Sequence, residues 1–207
     1  MADRAGSPAT VLGSTFAGKY RVVQLLRTGG LAHVYLAEMM TLRPGPIDEA
    51  GPDEARGLSP DERPGGLAPP RALAREGHAP RFALKVLRQE LARDPAVVRR
   101  FERGALAASR VVHPNVVRHG ALERLPEGLP FCTMELLIGL DLADTLAQAR
   151  KLEPARAVHI AEGVAAGLAA AHAAGVVHRD VKPENVFLVH QADGREVVKL
   201  IDFGLAS

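Results

Sequence analysis

Apolar and polar positions alternate or recur with two different periods along the chain, and the changes of period mark its elements. From Phe16 to Glu38 apolar and polar residues alternate around Gly29-Gly30, with Tyr20, Val22, Val23, Val34 and Tyr35 as strand formers, which predicts a hairpin. Phe82-Ala83-Leu84-Lys85-Val86-Leu87 predicts a further strand. Asp94-Pro95 then supplies a capping residue and a proline suited to a first helical turn, and Val97, Phe101, Gly104 and Ala108 form one stripe, so a helix is expected from about Pro95 to Arg110. His113-Pro114-Asn115 breaks it, and Val116 to Gly120 and Phe131 to Leu136 are expected as strands. A second helix, Pro154 to Ala174, is apolar around most of its circumference; Ala157, Ala161, Val164, Leu168 and Ala171 are expected inward, with Gly175 ending it. Asn185 to His190 and Glu196 to Ile201 flank Asp193-Gly194, the dipeptide suited to a tight two-residue turn. This order predicts an α+β chain of two lobes: an N-terminal one over 16–135 with an antiparallel sheet and one helix, and a second over 136–207 with helices and the final hairpin.

One stretch follows neither period. Residues 41–81 contain no valine, a single isoleucine at Ile47, and proline at 44, 46, 52, 60, 64, 69, 70 and 80. Such a composition buries too little apolar surface to offset chain entropy, so a disordered insertion is expected there, and a disordered N-terminus over 1–15. Elsewhere composition changes little: 47% hydrophobic and 24% charged residues are ordinary for a globular chain. A net charge of +2 calls for no nucleic acid or anionic membrane as partner. Met1 to Thr15 has no apolar stretch of the kind a secretory signal needs, and the longest apolar run, Val164 to Val177, is too short to cross a bilayer, so a cytoplasmic location without a membrane segment is expected. Cys132, the single cysteine, has no disulfide partner within the chain and is expected as a small buried hydrophobe.

Candidate chemistry collects near the C-terminal end. A two-residue turn at Asp193-Gly194 would set Asn185 directly opposite Asp202, bringing two oxygen-bearing side chains together as a seat for a hard cation such as magnesium. Asp180, five residues before Asn185, lies in a loop that also offers Lys182. One short segment thus presents a proton acceptor, a positive charge and a metal ligand, the groups that phosphoryl transfer requires.

The run His178-Arg179-Asp180-Val181-Lys182-Pro183-Glu184-Asn185, followed by Asp202-Phe203-Gly204, resembles the catalytic segment of bacterial eukaryotic-like serine/threonine protein kinases. The resemblance covers roughly 16–207 apart from the insertion, and implies a two-lobe kinase fold that binds ATP and magnesium and phosphorylates a protein substrate on serine or threonine. It implies that Asp180 and Lys182 are catalytic and that Asn185 and Asp202 hold the metal. It likewise implies a nucleotide site of Leu26, Gly29, Gly30, Val34, Ala83, Lys85, Met134, Glu135, Leu137, Asp141 and Phe187, with Lys85 on the phosphates, Met134 to Leu137 at the adenine and Asp141 at the ribose. His178 and Phe203 would pack rather than react.

Three departures qualify the expected activity. The glycine-rich loop reads Arg27-Thr28-Gly29-Gly30-Leu31-Ala32 and keeps only the middle glycine of the motif. Gly104 occupies the helix position where the family carries a glutamate partner for Lys85, and Glu102, two residues away on a helix, points elsewhere. The sequence stops at Ser207, soon after the metal-binding aspartate, so a truncated or partial kinase is expected, with a missing C-terminal half or a partner covering exposed surface. The alternatives are a pseudokinase that binds a nucleotide or partner without turnover, and an inert fragment.

Overall fold

The structure, a computed structural model, describes residues 11–40, 79–191 and 193–203. Most of the insertion expected at 41–81, and Gly204 of the Asp-Phe-Gly motif, lie outside the described residues. Described structure reaches into both segments expected as disordered. Val11 to Ser14 form a turn, Gly13 N–H donates to Val22 O at 2.9 Å, and Thr15 begins a strand, so regular structure is present before Phe16. At the other edge Met39 N–H donates to Pro80 O, and Arg81 already belongs to a strand.

Among the described residues, nine strands form two antiparallel sheets. The larger contains β1 (Thr15–Phe16), β2 (Tyr20–Thr28), β3 (Ala32–Met39), β4 (Arg81–Leu87), β5 (His119–Arg124) and β6 (Pro130–Glu135), in the order β1-β2-β3-β4-β6-β5. β4 is central and buried along six of its seven residues. Successive side chains of a strand face opposite ways, so Phe82, Leu84 and Val86 join Tyr20, Tyr35 and Phe131 in one core. Leu87 on the other face packs with Phe101, Ala105 and Cys132 beneath the first helix. That helix, α1 (Pro95–Ser109), starts as its sequence dictates: the Asp94 carboxylate accepts from Ala96 N–H at 2.8 Å, with Pro95 in the first turn. Phe101, Gly104, Ala105 and Ala108 form its buried face.

The second part holds β7 (Gly139–Asp141), α2 (Leu142–Ala149), α3 (Pro154–Ala173), β8 (Val186–His190) and β9 (Glu196–Leu200). α3 ends as expected: Gly175 has φ +71°, and Val176 and Gly175 N–H donate to Ala171 and His172 O at 2.9 Å. Four expectations need correction here. Val116 makes only an isolated bridge to Leu200, and the strand begins at His119, because Val117 N–H is drawn to Leu200 O. β6 stops at Glu135, so Leu136 is outside it. α2 escapes a reading based on long apolar stripes because it has only eight residues. Ala157 and Ala161 of α3 are exposed; its buried face is Ile160, Gly163, Gly167 and Ala171, since α3 lies so close to β9 that only glycine fits at the contact.

The final hairpin differs by one residue from expectation. Val186 pairs with Leu200 and His190 with Glu196, so the loop is longer than two residues, with Gly194 at φ +82°. Ile201 N–H donates to Asn185 O at 2.9 Å, which makes Ile201, and not Asp202, the residue opposite Asn185.

Candidate functional site

Between the two sheets lies a cleft of about 1130 Å³, and every site residue expected from the sequence lines it. β2 and its turn supply Leu26, Gly29 and Gly30; β3 and β4 supply Val34, Ala83 and Lys85. Met134, Glu135 and Leu137 come from the end of β6 and the segment after it, Asp141 from the end of β7, and Phe187 from β8. Asp180, Lys182, Asn185 and Asp202 close the other side. The floor is apolar: Ala83 and Met134 form a small cluster with Val117, flanked by Val34, Leu137 and Ile201.

The loop before β8 is held from both ends. His178 is buried; its Nδ1 accepts from Asp180 N–H at 3.3 Å, which leaves Nε2–H to donate to Ile201 O at 3.0 Å. Its ring packs on Phe203 with centroids 4.5 Å apart, and burial first of all holds its pKa below the usual imidazole range. Left-handed backbone occurs at Arg179 in this loop, at φ +64°, and at Asp202 in the cleft, at φ +61°. Strain of this kind persists only where surrounding contacts enforce it, and here the His178 bonds do so.

Within this loop Asp180 Oδ2 accepts from Lys182 Nζ at 2.7 Å and from Asn185 Nδ2 at 3.1 Å. The hydrogen bond to Asp180 is the main cause of the raised Lys182 pKa, so Lys182 stays cationic. Asn185 also donates to Asp180 O at 2.8 Å and is buried, which spends its amide N–H₂ and leaves Oδ1 for a cation. The shifted register removes the direct cross-strand pairing with Asp202; the two side chains reach the same cleft from different positions instead. Asp202 Oδ1 accepts from Lys85 Nζ at 2.5 Å, an ion pair that ties β4 to the segment after β9.

The position of Gly104 explains what Lys85 pairs with. Gly104 lines a cavity of about 10 Å³ together with Lys85, Phe101, Ala105, His119, Cys132 and Phe203, room for one water molecule at most. None of the described residues lining it carries a carboxylate, and Glu102 is paired with Arg124 on β5. His119 borders the same cavity; burial, and then the Lys85 charge, push its pKa down to about 4, so it is neutral at physiological pH. Burial raises the Cys132 thiol to about 11, as suits an unreactive core residue. The Glu135 carboxylate serves structure through Oε1, which accepts from Arg118 N–H at 2.8 Å and Lys199 Nζ at 2.7 Å.

A protein kinase domain model matches residues 71–207. The chain belongs to the protein kinase family. Among curated relatives it is 33% identical over 195 residues to the serine/threonine-protein kinase pkn3 of Myxococcus xanthus, covering 94% of this chain and 29% of that protein. It is 29% identical over 197 residues to PrkC of Bacillus subtilis, covering 95% of this chain and 24% of that kinase. The kinase domain of Mycobacterium tuberculosis PknI superposes with a TM-score of 0.64 at 29% identity, over 94% of this chain and 63% of that one. The chain therefore spans about a quarter of the length of these curated relatives and under two thirds of the solved domain. Its architecture is the α+β two-lobed kinase fold. Arg27, Arg100, Glu184 and Ile201 also line the cleft. None of the four is marked as a site residue by the sequence: Arg27 stands out there as a departure from the glycine motif, Glu184 lies within the run from His178 to Asn185 without a role assigned to it, and Arg100 and Ile201 carry no site signal.

Proposed function

We propose that this kinase chain transfers the terminal phosphoryl group of ATP, with magnesium, to serine or threonine hydroxyls of a protein substrate, at reduced efficiency. The observation that carries this reading is the meeting of Lys85, Asp180, Lys182, Asn185 and Asp202 on one cleft with an apolar floor. The names of its relatives, serine/threonine-protein kinases, support the same reaction. The residues present suit the nucleotide: Val34, Ala83, Met134 and Phe187 offer apolar surface to a purine, and Leu137 lies beyond the last strand pairing of β6. Asn185 Oδ1 and the Asp202 carboxylate suit magnesium, and the bound ion would neutralise charge on the phosphate oxygens. Asp180 accepts the proton of the attacking hydroxyl as its oxygen bonds to the terminal phosphorus and the bond to the departing diphosphate breaks. Lys85 and Lys182 offset the developing negative charge.

Efficiency is reduced because, among the described residues, the ion-pair partner of Lys85 is Asp202, the same carboxylate the cation requires. That competition also favours a second reading, a module that holds nucleotide without turnover. Incubation with γ-labelled ATP, magnesium and a generic serine/threonine substrate separates the two. Label transfer that is lost in Asp180→Asn supports the enzyme. Calorimetric ATP binding without transfer supports the binding module, and absence of both overturns the nucleotide reading.

A further inference from the structure

Arg27 stands where the glycine motif has its first glycine, and its side chain crosses the cleft. On β2 the pairing jumps from Leu25 opposite Tyr35 to Arg27 opposite Val34, leaving Leu26 as the extra residue of a bulge. A bulge re-aims the side chains beside it. Here Leu26, Arg27 and Thr28 all line the cleft, where a regular strand would turn alternate residues away. From that position Arg27 Nη1 donates to Glu184 O at 3.1 Å and approaches Asp141 Oδ2 at 3.4 Å. Both acceptors belong to the opposite side of the cleft, so one guanidinium bridges its mouth.

Asp141 is a pre-set acceptor. It is buried, and its Oδ1 caps α2 by accepting from Asp144 N–H at 2.8 Å, so Oδ2 is the oxygen left for anything entering the cleft. Arg27 occupies that oxygen.

We propose that Arg27 is a latch across the nucleotide cleft, and that a nucleoside reaches Asp141 only by displacing the Arg27 guanidinium. The inference rests on the nucleotide-binding reading above. A ribose offers neutral hydroxyl donors to a carboxylate that already holds a charged one, and so competes at a disadvantage. The Arg27 side chain is 43% exposed, which makes the latch weak and open to screening by salt. An arginine in this place sets the affinity of the nucleoside half of the ligand; the glycine it replaces could not.

The test is calorimetry with adenosine, and separately with ATP and magnesium, on the whole chain and its Arg27→Ala and Arg27→Met variants. Loss of a partly exposed ion pair should tighten adenosine binding about three- to tenfold in both variants. Raising salt should tighten adenosine binding to the unaltered chain and leave the variants flat, an arm that needs no substitution to fold. Equal adenosine affinity in all three proteins and no salt response would overturn the latch. Weaker ATP binding with adenosine unchanged would also overturn it and would make Arg27 a phosphate contact. No binding of either ligand to any of the three folded proteins would overturn the nucleotide reading and the latch with it.

Discussion

Gly104 and His119 border the same small cavity behind Lys85, and each supports a prediction of its own. A methyl group at 104 removes the conformational cost of a mid-helix glycine and fills space that holds one water molecule at most. Gly104→Ala should therefore stabilise the chain by about 1 kcal/mol, read as a raised urea midpoint at unchanged slope. His119 acts through protons. Its folded pKa of about 4 lies below the ordinary imidazole value of 6.5, so the unfolded chain binds more protons between those values. Stability contributed by the neutral ring is present above pH 6.5 and is lost as pH falls toward 4, about 3 kcal/mol in all. His178 shifts in the same direction, so a His119→Leu chain should keep part of this acid sensitivity while its unfolding free energy changes less between pH 7 and 4.5. An unaltered slope across that range would show that His119 titrates in the folded chain as it does in the unfolded one. The places of single residues on the cleft were legible where a motif carried them, as at Asp180, Lys182 and Asn185. Arg27 was visible only as a departure, because nothing in a linear pattern says which carboxylate an arginine will find.

At the scale of elements, α3 and β9 show how contact distance overrides propensity. A Cβ on Gly167 would come within 2.7 Å of the Asn115 carbonyl oxygen, and one on Gly163 within 2.6 Å of Val198 Cβ. Backbone cannot yield as a side chain can, so Gly167→Ala should destabilise by about 1–3 kcal/mol although alanine is the better helix former. Exposed Ala161→Ser on the same helix should stay within about 0.5 kcal/mol. Paired urea melts check both, and a Gly167→Ala chain as stable as the original would mean that α3 stands off further from the Asn115 backbone. Sequence periodicity favoured Ala157 and Ala161 as inward positions because a helix apolar all round gives no direction to its buried face. The glycines marked that face through their lack of a side chain. The longer loop after His190 has a similar origin, since Asp-Gly serves hairpin loops of more than one length and the register depends on the whole ladder.

Over the whole molecule, the Lys85 to Asp202 ion pair and the Arg27 bridge to Glu184 span the cleft from the large sheet to its other side. Asp202 is 47% exposed at its side chain, so water screens the pair and its share of stability is small. Lys85→Met should therefore leave the thermal midpoint nearly unchanged while lowering label transfer about 10²- to 10³-fold. A large drop in melting temperature instead would show that the pair holds the parts together more than it serves chemistry. Among the described residues no helix is long and apolar enough to cross a membrane.

By itself the sequence determined the local elements and the identity of the chemical groups. Alternation set the hairpin of β2 and β3, Asp94-Pro95 set the start of α1, and the run from His178 to Asn185 declared the family. These signals are short-range, carried by residues close in the chain, so they survive without a fold. Tertiary structure alone decided which face of α3 is buried, that Ile201 stands opposite Asn185, that Lys85 pairs with Asp202, and that Arg27 closes on Asp141. Each of these is a contact between segments distant in sequence, fixed by how closely helix and sheet can approach, and a one-dimensional pattern holds no measure of that distance.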